Sequence, residues 1–86
     1  MKFIVFSLHA IEKIKILRKH NISVDKKFIE NAVANPDKVE SGYKERIIAQ
    51  KMLDKNHVLR IVYEESEESL RIITMYPGRK KRYEKD

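Results

Sequence analysis

The chain has 86 residues, 42% of them hydrophobic and 37% charged, with only two glycines and two prolines; this is the composition of one small folded domain over 1–86 and excludes fibrous or disordered classes. The absence of cysteine excludes a disulfide framework, a thiolate metal site and a cysteine nucleophile. The formal charge of +6 gathers at the two ends of the chain, while residues 35–69 carry a slight acidic excess. Such a balance favours phosphate backbones or an acidic protein partner, through attraction that weakens with salt, although a lysine-rich solubilising surface would carry it too.

The first element is a short strand in MKFIVF. Its apolar run is far too short to cross a bilayer and is not followed by the small residues of a secretory leader, so a protein of the cytoplasm with no membrane association is expected. Ser7 is a natural N-cap for a helix from Leu8 to about His20, with Ile11, Ile14 and Leu17 as its apolar stripe and Asn21 at its end. Ser23 is expected to cap a second helix from Val24 to about Ala34, which Asn35 and Pro36 stop. The two helices then make a hairpin.

From Val39 the pattern turns to period two. ERIIAQKML, HVLRIVYE and LRIITMY read as strands joined by short connections, which make an antiparallel meander. The expected architecture is α+β, with the N-terminal strand and helical hairpin packed on one face of a C-terminal antiparallel sheet of three to four strands. Alternation puts Leu59, Ile61 and Tyr63 on one face of the middle strand, and Ile72, Thr74 and Tyr76 on one face of the last. Arg60, Thr74 and Tyr76 are expected on the face left open. Residues 79–86, GRKKRYEKD without its glycine, read as a basic tail.

The chemistry that the residues exclude narrows the field. His9 and His20 share one side of the first helix but stand roughly 16 Å apart, and His57 sits in a turn, so no metal site is expected. The lone glycines Gly42 and Gly78 fit neither a phosphate loop, a dinucleotide fingerprint nor a serine elbow, and no cofactor is expected. What remains is the ending ITMYPGRKKRY, where Arg79, Lys80, Lys81 and Arg82 lie between Tyr76 and Tyr83. Cations pair with phosphates and aromatic rings stack on unpaired bases, a composition suited to single-stranded nucleic acid. His9 falls in the first turn of its helix, where free N–H groups favour anions and a neutral imidazole.

HAIEKIKILRKHNIS, FIENAVANPDKV, VLRIVYEE and IITMYPGRKKRY together resemble small bacterial and archaeal domains related to the RelE and ParE type II toxins, over nearly the whole chain. The resemblance implies the fold of the barnase, colicin and RelE ribonucleases and, in many members, metal-independent RNA cleavage by 2′-hydroxyl attack, held in check by an acidic antitoxin. On this chain it implies His9 as base or acid, Arg60 and Arg79 as phosphate clamps, and Thr74 and Tyr76 as hydrogen-bonding or stacking groups. Arg46, Lys80, Lys81, Arg82 and Tyr83 would bind RNA, whether free or ribosome-bound mRNA. Two alternatives stay open: a non-catalytic RNA- or protein-binding module of the same fold, and a ParE-like toxin with another target. Self-association is left open as well.

Overall fold

The computed structural model describes residues 2–83. Strand β1 (Phe3–Phe6) leads to helices α1 (Leu8–Lys19) and α2 (Lys26–Ala34). Strands β2 (Lys38–Ser41), β3 (Ile47–Met52), β4 (His57–Glu65) and β5 (Ser69–Arg79) follow, then a single helical turn, α3 (Lys80–Tyr83). Of the tail expected at 79–86, Arg79 ends β5, Lys80–Tyr83 are α3, and 84–86 lie outside the described residues.

The class is α+β, but the expected sheet needs correction. It has five strands in the order β1-β5-β4-β3-β2, and it is mixed: β2 to β5 form the antiparallel meander, whereas β1 runs parallel to β5. Ile4 and Phe6 are drawn against the core, so the backbone between them needs hydrogen-bond partners, and the edge of β5 supplies them. β5 also runs on through Pro77 and Gly78, beyond the expected end at Tyr76. Proline is tolerated there because β1 stops opposite Ile72, leaving that side of β5 without a ladder to interrupt.

Helix ends follow local chemistry. Ser7 caps α1, its Oγ accepting from Ala10 N–H at 3.0 Å. At the other end Asn21 adopts φ 64°, and the N–H groups of Asn21 and Ile22 donate to the carbonyls of Arg18 and Leu17, closing the helix in a left-handed turn that asparagine tolerates. The cap of α2 is Asp25 and not Ser23: its Oδ1 accepts from Phe28 N–H at 2.8 Å, and Val24 stays extended and buried instead of opening the helix. A carboxylate at the N-cap also meets the positive end of the helix dipole.

The core lies between the helices and one face of the sheet. Ala10, Ile14 and Leu17 from α1 and Ile29, Ala32 and Val33 from α2 pack with Ala49, Leu59, Ile61, Tyr63, Ile72 and Met75. The main partner of α1 is β5 and that of α2 is β3, so each helix rests on strand more than on the other helix. One residue departs from the expected alternation. β5 carries a bulge: Val62 pairs with Thr74 but Tyr63 with Ile72, so Ile73 is extra. The bulge turns Ile72 into the core while Thr74 and Tyr76 stay on the other face, correcting the grouping of all three on one side.

Candidate functional site

The face of the sheet opposite the helices carries Arg60, Thr74 and Tyr76, as alternation predicts. The bulge also fixes what stands beside them. Ser7 N–H donates to the Ile72 carbonyl and Ser7 Oγ to the Ile73 carbonyl, both at 3.0 Å, so the first turn of α1 is pinned to the rim of β5. His9 is thereby brought to Thr74, with His9 Nε2 and Thr74 Oγ1 3.0 Å apart. An exposed imidazole, a hydroxyl and, two residues along the same strand face, a tyrosine form one rim-to-face group. Lys13, one turn after His9 on the same side of α1, adds a cation that the sequence reading missed; its signal was the i, i+4 spacing.

Arg60 is the centre of a different arrangement. The residue is 3% exposed, and its guanidinium donates to Gln50 Oε1 at 2.6 Å, to Glu40 Oε2 at 3.2 Å and, through Nε, to the Tyr76 hydroxyl at 3.2 Å. The Tyr83 ring of α3 covers it, with its centroid 4.2 Å away. A Cβ on Gly78 would collide with that ring, so the glycine is what lets Tyr83 seat. Lys38 ties the lid down by donating to the Tyr83 carbonyl and pairs with Glu40 at 3.0 Å.

Charge follows from this packing. Burial works against the Arg60 cation, but the hydrogen bonds of Glu40 and Tyr76 outweigh it and hold the guanidinium charged more firmly than usual. Hydrogen bonds from Arg60 and then Lys38 hold the Glu40 carboxyl below the usual glutamate range. The expected role of Arg60 as a phosphate clamp on an open surface is therefore corrected in its geometry: the side chain is on the expected face, but it is paired and covered. What its hydrogen bond to Tyr76 does is fix that phenol with its own proton left to donate elsewhere.

The other expected residues do not join this group. Arg79 is about 17 Å along β5 from Thr74, too far to touch the same phosphate. It lines a separate cleft with Lys55, Asn56, His57, Lys80 and Lys81. Arg82 is exposed on α3, its guanidinium 5.7 Å from the Tyr83 ring centroid. Arg46 lies in the β2–β3 connection, where its carbonyl accepts from Gly42 N–H, and it does not line the cleft. Among the described residues no three His, Asp or Glu side chains lie close enough to share a metal ion. The chain matches no family model, no curated protein and no solved structure.

Proposed function

We propose that this protein is a toxin-like, metal-independent endoribonuclease of the RelE kind, acting on a strand of RNA laid across the open face of the sheet beside His9. The observation that carries this reading is the His9–Thr74 hydrogen bond at 3.0 Å next to a tyrosine held by a buried arginine. In the proposed reaction His9 Nε2, released from Thr74, takes the proton of the 2′-hydroxyl; the 2′-oxygen attacks phosphorus; and the bond to the 5′-oxygen breaks as that oxygen gains a proton from the Tyr76 hydroxyl. Thr74 Oγ and Lys13, one helical turn from His9, bind the phosphoryl oxygens. Thr74 and Tyr76 are about 7 Å apart on one strand face, a span that one phosphodiester and its two flanking oxygens bridge. Each of these proton transfers supplies about 10² to 10⁴ in rate.

A protein of this kind is kept harmless in the cytoplasm by an acidic antitoxin, and the basic excess of the chain suits such a partner. The saturated Arg60 cluster favours one second reading, a module of the same fold that binds RNA without cutting it, because the arginine expected to stabilise the phosphorane is already engaged.

The test is cleavage of end-labelled RNA in EDTA, with and without translating ribosomes. The reading expects products ending in 2′,3′-cyclic phosphate. Folded protein that binds RNA and leaves it whole in both conditions establishes the second reading instead.

A further inference from the structure

A separate cluster lies at the far end of β4 and β5. Lys55, Asn56 and His57, at the β3–β4 turn, and Arg79, Lys80 and Lys81, at the β5–α3 junction, line an open cleft of about 700 Å³. The two sides are locked together, since Lys80 N–H donates to the Asn56 carbonyl at 2.8 Å and His57 and Arg79 are cross-strand partners.

The turn is built around Asp54. Its Oδ1 accepts from the backbone N–H groups of Asn56 and His57, each at 2.8 Å, and lies 2.9 Å from His57 Nδ1. These contacts, the Asn56 N–H foremost and the His57 ring next, keep the Asp54 carboxyl below the usual aspartate range. The carboxylate therefore holds the imidazole by Nδ1 and leaves Nε2 as the nitrogen available to a ligand. Among the described residues, no carboxylate forms an ion pair with Lys55, Arg79, Lys80 or Lys81.

We propose that this cleft binds a phosphate monoester, with Arg79 and the lysines meeting its charge and the His57 imidazolium, held at Nδ1 by Asp54, donating to it from Nε2. A stripe of cations spaced along a surface suits the single charges of a phosphodiester backbone. Cations converging on one concavity suit instead a group that carries about −1.5 to −2 at neutral pH. The cleft is also of a size that holds a nucleotide, so the terminal phosphate of an oligonucleotide fits as well as free phosphate. This site stands independently of any chemistry at His9.

The test is an NMR titration of the full chain at constant ionic strength with inorganic phosphate, a 5′-phosphorylated tetranucleotide and the same tetranucleotide with a 5′-hydroxyl. Shifts should centre on the amides of Asn56, His57, Lys80 and Lys81, and the 5′-phosphate should tighten binding by about tenfold. His57→Gln and Arg79→Lys, both at exposed positions, should each remove most of that advantage while the spectrum of the core stays unchanged. His9→Ala should leave it intact. Shifts from inorganic phosphate alone, lost in both variants, support a site for the free ion; equal affinity for the two tetranucleotides with no such shifts, or an advantage that survives both substitutions, overturns the proposal.

Discussion

Arg60 on β4 and the Arg79–Lys81 run, which closes β5 and opens α3, carry charge of the same sign and do opposite things. Arg60 is buried, donates to Glu40, Gln50 and Tyr76, and lies under Tyr83. Arg79 and Lys81 are exposed, and no carboxylate of the described residues pairs with them. A cation with a partner at each of its nitrogens holds structure, whereas cations gathered at a cleft and free of ion pairs among the described residues are disposed to take an anion. Residue type alone does not separate the two; burial and partners do.

The contrast can be broken most forcefully at its buried end. Arg60→Ala should destabilise the fold by about 3 kcal/mol, because Gln50 is left buried without its partner and the aliphatic stem of the arginine is lost from under Tyr83. Urea unfolding checks this. A loss below about 0.5 kcal/mol, the scale of an ordinary surface change, would return Arg60 to the free cations.

Gly78→Ala should cost less, about 1 to 2 kcal/mol, since the added methyl displaces Tyr83 and α3 while the core is untouched. Its signature is local: the ring-current shifts of the Arg60 side chain should vanish in the NMR spectrum while those of Ile29 and Leu59 persist. A smaller effect in the other direction is expected at the β2–β3 connection, where Lys44 and Glu45 both adopt positive φ, at 56° and 62°. Lys44→Gly should stabilise by about 1 kcal/mol, which in a domain of this size raises Tm by about 4 to 8 °C.

Acid should loosen the same lid. The Glu40 carboxyl is depressed in the folded state, so its contribution is fully present above the usual glutamate range and is lost as pH falls through the lower folded value. Tyr83 contacts should therefore weaken in acid before the core unfolds, an effect kept small because Glu40 is partly exposed to solvent. Lys81→Ala, by contrast, should leave stability within about 0.5 kcal/mol at any of these pH values.

What was legible in the sequence was local. The Ser7 cap, the Asn21 turn and the alternation of Leu59, Ile61 and Tyr63 depend on near neighbours, and each appears where the residues place it. The parallel pairing of β1 with β5 depends on which strand edge is left for Phe3–Phe6, which no neighbouring residue records. The bulge at Ile73 was hidden for a related reason. An unbroken run of residues compatible with either face carries no mark of the extra residue, and one residue was enough to send Ile72 inward. At the site, the sequence brought His9, Arg60, Thr74 and Tyr76 into one list with Arg79, but only distance along β5 separates Arg79 from the rest. The partners that change the meaning of Arg60, Glu40 and Gln50, come from β2 and β3 and become visible only through register.

The most direct test of the central claim is to compare RNA cleavage by His9→Ala and by Lys80→Ala/Lys81→Ala, as kcat and KM separately. A reacting centre at the His9–Thr74 rim predicts a fall in kcat of about 100-fold or more for His9→Ala, with kcat kept and KM raised for the double variant. Wild-type kcat in His9→Ala, or a collapse of kcat in the lysine variant, would contradict the account and move the chemistry to the cleft beside His57.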